Sequence, residues 1–272
     1  MLRWLSSALP LAVVLLSVAN PVRSQSPELD FSKLSLVFRE DFDEGLSVSP
    51  WGPNTRWIAH TPWHGDFGDA QFADPMPGVF PFTISNGVLR IEARKDSHGK
   101  WMSGLLSSAD QNGRGFSLMY GYFEMRAKLP PGPGVWPAFW LNTIADKTRP
   151  PVPGLEIDAL EYYGHDPAVY QATVHLWQPD GSDKSNRPHQ IAVEPDSLTK
   201  DFNTYGVLVT PEWIVFYLNR HEVARDKTAP EHQRPLHILL NLALGSGFPT
   251  DKTPNPSYMY VKYVHAYKIV GN

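Results

Sequence analysis

The sequence predicts an all-β fold built as one domain. Aromatic residues make up 12% of the chain, and nine of them are Trp. The chain also contains 26 Pro and 20 Gly, a composition that suits short strands joined by turns. Short apolar or alternating segments follow one another along the chain, with weak helix signals only at Ser197–Asp201 and Glu231–Arg234. Packed layers of short strands are therefore expected.

The N-terminus has the pattern of a secretory signal peptide over residues 1–24. Arg3 supplies a positive charge, the apolar run Leu9–Val18 follows, and the small residue Ser24 lies near the expected cleavage point. A membrane anchor is the alternative, although the run is shorter than the ~20 apolar residues of a membrane span. We therefore expect one domain over residues 25–272 that is secreted or periplasmic. The absence of cysteine fits a bacterial exported protein.

Strand signals recur along the rest of the chain. A first strand is predicted at Leu36–Phe42, and the loop-rich segment 44–82 that follows carries Trp51, Trp57, His60, Trp63 and His64. A long segment with little regular structure is usually functional in a compact domain. Further strands are predicted at Thr83–Ser85, Gly87–Arg94, Tyr120–Leu129, Gly134–Asn142, Glu156–Tyr162, Tyr170–Trp177, Asn203–Val209, Ile214–Leu218, Leu236–Leu244 and Tyr258–Ile269.

The charge balance excludes some classes of partner. The chain has 24 basic and 28 acidic residues and a net charge of −4, and no basic patch stands out. A nucleic-acid partner is therefore not expected, and no segment after residue 24 is long and apolar enough for a membrane span. A monomer is expected.

Three carboxylates stand close together in an apolar segment. Glu156, Asp158 and Glu161 lie within six residues of one another. Buried acids at this spacing repel each other and cost several kcal/mol unless they share protons or partners. Paired carboxylates are what glycoside hydrolysis requires.

If these acids catalyse glycoside hydrolysis together, they must lie on one face of the strand. Glu156 and Asp158 share one face of a strand, whereas Glu161 would lie on the opposite face of a regular strand. One extra residue in a bulge at Ala159-Leu160 returns Glu161 to their face. The alternative is an exposed strand edge whose acids are merely solvated.

Four ordered segments resemble family-16 glycoside hydrolases. Glu156-Ile-Asp-Ala-Leu-Glu161 is similar to the Glu-x-Asp-x-x-Glu signature of that family in its bulged form. The other segments are Tyr120-Gly-Tyr-Phe-Glu-Met-Arg-Ala-Lys-Leu-Pro130, Gly134-Val-Trp-Pro-Ala-Phe-Trp-Leu141 and Leu239-Leu-Asn-Leu-Ala-Leu-Gly245. The resemblance covers roughly Leu36 to Val270 and points to bacterial endo-β-glucanases, including enzymes that cut exopolysaccharides such as succinoglycan.

The resemblance implies a β-jelly-roll sandwich of two antiparallel sheets with a concave substrate cleft. It implies a retaining enzyme in which Glu156 is the nucleophile, Glu161 is the acid/base, and Asp158 tunes the nucleophile. The expected partner is a polysaccharide, a β-1,3 or mixed β-1,3-1,4 glucan. Two alternatives remain: a non-catalytic, lectin-like carbohydrate-binding jelly roll, and a structural exported β-protein. The three acids favour the enzyme, because a binding module has no need for mutually repelling carboxylates.

Five residues are predicted to bind substrate: Trp136, Trp140, Arg126, His175 and Trp177. Trp rings offer flat platforms for the apolar faces of sugars, with core packing as the alternative. His175 shares a strand face with Thr173 and Trp177 and can reach Glu161 or a sugar hydroxyl; a structural His is the alternative. Arg126 can neutralise the carboxylates, or can simply be a solvated strand residue. His60, Trp63 and His64 are weaker candidates for a substrate-binding loop.

No metal or cofactor is expected at the acids, because the ten histidines show no metal-binding spacing. The family resemblance implies a structural calcium elsewhere, bound by an acid just before the final strand. Lys262 stands at that position, and an ammonium cannot be a calcium ligand. The calcium is therefore doubtful. Phe248 is a second departure, since the family usually has Trp there.

Overall fold

The structure is a computed structural model that describes residues 28–144, 151–185 and 188–271. The predicted signal peptide, residues 1–24, lies outside the described residues. The strands are β1 (Leu34–Glu40), β2 (Val48–Ser49), β3 (Trp57–Ile58), β4 (Gln71–Phe72), β5 (Phe82–Ser85), β6 (Val88–Lys95), β7 (Trp101–Ser103), β8 (Leu105–Ser107), β9 (Gly121–Lys128), β10 (Val135–Thr143), β11 (Gly154–Glu161), β12 (Val169–Trp177), β13 (His189–Ala192), β14 (Asn203–Val209), β15 (Trp213–Leu218), β16 (His221–Lys227), β17 (Leu236–Leu244) and β18 (Ser257–Ile269). Helical structure among these residues is confined to a 3-10 turn at Phe31–Lys33 and to α1 (Ser197–Lys200).

Two sheets pack face to face, as the all-β prediction requires. The first has ten strands in the order β16-β15-β14-β9-β18-β6-β7-β4, with β1 beside β18 and β5 beside β6. The second has eight strands in the order β13-β12-β11-β10-β17-β8-β3-β2. The pairings are antiparallel except for the short β2–β3 and β4–β7 pairs. The predicted jelly-roll sandwich is confirmed.

Alternation along each strand separates the core from the outer faces. In β9, Phe123 and Met125 point into the core between the sheets, and so do Phe139 and Leu141 in β10. Their neighbours therefore lie on the outer faces of the two sheets, because successive side chains of a strand point to opposite sides. Burial of the inward set is the main stabilising contribution of the sandwich.

The outer face of the eight-stranded sheet carries a second apolar cluster. It contains Trp140 of β10, Leu239 of β17 and Phe72 of β4, and Phe67 of the long loop packs on it. Gly68 makes this contact possible: its φ is +73°, and a Cβ there would collide with the carbonyl oxygen of Leu244. The predicted functional loop therefore folds over the outer face beside β10.

The prediction for Arg126 needs correction. Arg126 lies on β9 of the ten-stranded sheet, paired with Thr204 of β14 and Tyr263 of β18. The three acids lie on β11 of the other sheet, so the core separates Arg126 from them. Alternation correctly put Arg126 on a polar face, but that face is the outer side of the opposite sheet. The alternative interpretation, in which Arg126 is a solvated strand residue, fits the structure.

No helix in the described part of the chain has the length and apolar character needed to cross a membrane.

Candidate active site

Strand β11 contains the bulge that the spacing of the acids predicts. In the pairing with β10, Asp158 lies opposite Trp140 and Leu160 lies opposite Phe139, so Ala159 is the extra residue. The register with β12 shifts over the same residues. The bulge prediction is confirmed, and it turns Glu161 onto the face of Glu156 and Asp158.

The burial pattern of β11 shows which face that is. Leu155, Ile157 and Leu160 belong to the core between the sheets. Asp158 is buried, and Glu156 and Glu161 are partly exposed on the outer side. The acids therefore sit on the outer face of the eight-stranded sheet, flanked by β10 and β12.

Glu156 is held by two donors from the neighbouring strands. Asn142 Nδ2 of β10 donates to Glu156 Oε2 at 2.9 Å, and Trp177 Nε1 of β12 donates to the same oxygen at 3.2 Å. Burial, followed by the charge of Asp158, raises the pKa of Glu156 to about 8, although His175 and the two donors oppose the rise.

Asp158 has both Glu156 and His175 as close neighbours. His175 Nε2 is 3.1 Å from Asp158 Oδ2, an ion-pair distance without the alignment of a good hydrogen bond. Burial, and then the charge of Glu161, raises the pKa of Asp158 to about 7. Asp158 therefore has an environment in which it can keep a proton near neutral pH.

Glu161 has its own pair of donors. Trp136 Nε1 donates to Glu161 Oε1 at 3.1 Å, and the Tyr163 hydroxyl donates to the same oxygen at 2.9 Å. Burial raises the pKa of Glu161, while these two hydrogen bonds act in the opposite direction.

His175 forms ion pairs with Asp158 and with Asp183. Asp183 Oδ2 lies 2.6 Å from His175 Nδ1, and the other Asp183 oxygen accepts from the backbone N–H groups of Leu176 and Ser185. Burial works against a charged His175, but its contacts with Asp158 and Asp183 raise its pKa to about 10. His175 is therefore a cation that contacts Asp158. The sequence analysis expected a contact with Glu161 or with a sugar hydroxyl.

The same atoms have the composition of a metal site. One ligand atom each from Glu156, Asp158 and His175 lie within 4.8 Å of one another. Both His175 nitrogens already face carboxylates, at Asp158 and Asp183, so a metal ion would have to displace an existing ion pair.

The structure brings four of the five predicted substrate-binding residues to the acids. Trp136, His175 and Trp177 contact them directly, and Arg126 does not approach them. Trp140 pairs with Asp158 in register, but it is buried and donates to Asn241 Oδ1 at 2.8 Å, so packing is a large part of its role. Among the weaker candidates, Trp63 packs edge-on to Trp140 and is 49% exposed. His60 stacks on Trp51, and His64 packs against the same ring at a tilt.

Sequence reasoning missed three residues of the site: Asn142, Tyr163 and Asp183. The sequence held a signal for the first two. Asn142 follows Trp140 by two positions, so it shares the face of Trp140, and Tyr163 follows Glu161 by two positions. Asp183 lies in a turn beyond β12 and had no sequence signal.

Comparison with known proteins identifies the family. The family model described as glycosyl hydrolases family 16 matches residues 80–264, more than half of the chain. This chain belongs to family 16 of the glycosyl hydrolases. The match contains β9, β10, β11 and β17, which carry the resemblance seen in the sequence.

Individual proteins also resemble the chain over most of its length. An endo-1,3-1,4-β-glycanase of Rhizobium meliloti, ExsH, is 36% identical over 89% of this chain and 53% of its own length. A β-glucanase of Rhodothermus marinus is 33% identical over 69% of this chain and 70% of its own. The laminarinase catalytic domain of Thermotoga maritima aligns with a TM-score of 0.69 and 25% identity, covering 88% of this chain and all of that domain. The chain spans about half the length of the Rhizobium relatives.

Proposed function

We propose that this family 16 protein is a retaining endo-β-glycosidase that cuts a β-1,3 or mixed β-1,3-1,4 glucan, or a related bacterial exopolysaccharide. The observation that carries the proposal is the bulged β11, which gathers Glu156, Asp158 and Glu161 on one outer face. A binding module gains nothing from burying three carboxyl groups whose charges repel.

Double displacement assigns a role to each acid. In the first step Glu161 gives its proton to the glycosidic oxygen, the C1–O bond breaks, and a Glu156 oxygen bonds to C1. In the second step Glu161 takes a proton from water, the water oxygen bonds to C1, and Glu156 is released. Retention requires the two carboxyl groups ~5–5.5 Å apart, and that separation stays a prediction.

The raised pKa values of Glu156 and Asp158 suggest how the nucleophile becomes ionised. The two acids share one proton, and Asp158 keeps it when Glu156 attacks C1. With His175 protonated and Glu161 carrying the second proton, the three acids and the imidazolium have no net charge. A neutral cluster is far less costly to bury than three carboxylates.

The glucan assignment rests on the relatives and on the aromatic residues near the acids. ExsH and the Rhodothermus enzyme are named for glucan or mixed-linkage glycan cleavage. Trp177 is 37% exposed beside Glu156, and Phe248 is 37% exposed beside Tyr163. Exposed rings on both sides of the acids suit a long chain of sugar rings better than a single sugar.

We further propose that the mature protein is a secreted or periplasmic monomer after removal of residues 1–24. We also propose that it does without a structural calcium. Lys262 is the bulged residue of β18, and its ammonium donates to Gly87 O at 3.2 Å. The carbonyl oxygen therefore already faces a cation that belongs to the chain.

A substrate panel tests the proposed activity. Purified protein should release reducing sugar ends from laminarin or lichenan and little or none from agarose and carrageenan. Release only from the two galactans would overturn the glucan assignment. Binding to a glucan without cleavage of any of the four would favour the lectin-like alternative.

A further inference from the structure

Tyr163 makes a direct contact with the proposed acid/base that the family signature does not include. Its hydroxyl donates to Glu161 Oε1 at 2.9 Å, and Trp136 Nε1 donates to the same atom at 3.1 Å. Among the described residues, the hydrogen bonds found for the Glu161 side chain all fall on Oε1. An oxygen that accepts two hydrogen bonds is a poor place for the acid's own proton.

Aromatic neighbours hold the Tyr163 ring in place. It stacks on Trp136 with centroids 6.0 Å apart and an interplanar angle of 19°, and it lies 5.5 Å from Phe248. His165 stacks on Phe248 at 3.7 Å, and its ring also lies 6.2 Å from that of Tyr163. The ring is therefore packed between β10 and the loop after β17, and its hydroxyl has little freedom to leave Glu161.

We infer that Tyr163 is a positioning residue which, together with Trp136, keeps Oε1 of Glu161 as an acceptor and places the acid proton on Oε2. The inference rests on the proposed role of Glu161 as acid/base. Oε2 then delivers the proton to the glycosidic oxygen, and Oε1 bears the charge that develops as the proton leaves. The two donors stabilise this charge at the moment when it forms.

The inference has a consequence for the pH profile. A hydroxyl that donates to Glu161 favours the ionised carboxylate, so its removal should raise the pKa of Glu161. Since Glu161 must be protonated in the first step, activity is lost as pH rises through that pKa. Tyr163→Phe should therefore move the alkaline limb of the profile upward, by about one pH unit for one charge-assisted hydrogen bond.

The first experiment compares Tyr163→Phe with Tyr162→Phe. The control removes the same hydroxyl from the neighbouring tyrosine, which is buried on the core side of the strand. We expect Tyr163→Phe to shift the alkaline limb of kcat/KM on the glucan upward and to lower kcat about tenfold. On an aryl glycoside whose leaving group departs without a proton, the same variant should lose much less activity. An alkaline limb that stays in place, or moves downward, would overturn the inference.

A second experiment does not depend on activity. In a Glu156→Gln background, the carboxyl carbon of Glu161 is titrated by 13C NMR with and without Tyr163→Phe, and Glu161→Gln identifies the signal. We expect a higher pKa in the variant that lacks the hydroxyl; an equal or lower pKa would contradict the role of Tyr163. If no variant, nor the wild type, cleaves any glucan, the proposed function fails while this titration still decides the role of Tyr163.

Discussion

The three acids differ in their hydrogen-bond partners more than in their burial. Glu156 receives donors from both neighbouring strands, and Glu161 receives both of its donors on one oxygen. Asp158 has the cation of His175 beside it. Chemically similar groups can take separate roles when their environments differ in this way. The assignment of nucleophile and acid/base can therefore be tested residue by residue.

The roles of Glu156 and Glu161 predict different chemical rescue. Glu156→Ala and Glu161→Ala should each lose nearly all activity while remaining folded. Azide should restore the Glu156 variant with inversion, because the anion takes the place of the nucleophile and attacks from its side. On an activated substrate, azide should restore the Glu161 variant with retention, because it attacks the glycosyl-enzyme. NMR of the glycosyl azide products checks the result, and swapped stereochemistry would reverse the two roles.

Asp183 should control the charge of His175. Its carboxylate lies 2.6 Å from His175 Nδ1, so Asp183→Asn should lower the pKa of the imidazole from about 10 by at least about one unit. An NMR titration of the His175 ring measures this directly. Asp180→Asn is the matched control, because Asp180 is exposed in the same turn and bonds only to Ser182 among the described residues. Equal effects of the two variants would contradict the prediction.

At the scale of elements, sequence reasoning succeeded where apolar patterning is strong. Leu236–Leu244 and Asn203–Val209 were predicted with their observed bounds. Strand β16, His221–Lys227, was missed because it is a largely polar edge strand with no regular apolar pattern. Short strands such as β7 and β8 are held by their pairing partners, and local sequence cannot show this.

The sequence could predict only the part of the site that follows from the alternation of side chains along a strand. Alternation and a single bulge place Glu156, Asp158 and Glu161 on one face, and the pairing of β11 with β12 brings His175 to them. Alternation does not tell which sheet a strand joins, and this is why the prediction for Arg126 was wrong. Asp183 reaches His175 only through the path of a turn, which depends on tertiary contacts.

The bulge in β18 provides a test at the scale of elements. If Lys262 supplies the cation beside Gly87 O, a chelator should leave the melting temperature unchanged. Lys262→Met should lower it by about 2–4 °C, because a carbonyl loses its donor while the aliphatic stem is kept. Lys268→Met is the control on the same strand, at an exposed position. A melting temperature that drops with chelator and returns with calcium would sink the proposal.

At the scale of the whole molecule, the sandwich makes the acids part of a rigid sheet. Each acid on β11 stands next to a residue that packs into the core between the sheets. The packing of these core residues therefore also fixes the position of the carboxyl groups. Such preorganisation favours catalysis, but it also forces charge repulsion and desolvation into the folded state. Stability should then be lower than the core alone would give.

The pH dependence of unfolding measures that cost. In the unfolded chain a Glu has a pKa of ~4.3, whereas Glu156 in the folded protein has a pKa of about 8. Below the unfolded value the group is neutral in both states. As pH rises from there toward about 8, only the unfolded chain releases the proton, so this group destabilises the fold increasingly and does so fully above about 8.

Glu156→Gln stays neutral, so it should escape this loss. Its melting temperature relative to wild type should be higher at about pH 8 than at about pH 4, by several degrees, because each pKa unit is worth about 1.4 kcal/mol and each kcal/mol about 2–4 °C at this size. Calorimetry across this range checks it, with Glu212→Gln as a control at an exposed glutamate in the turn between β14 and β15. The lost attraction to His175 opposes the gain, but it is outweighed because burial and Asp158 raise the pKa of Glu156 in spite of His175. If the difference in melting temperature between Glu156→Gln and wild type is constant with pH, or falls toward high pH, ionised Glu156 does not destabilise the folded protein.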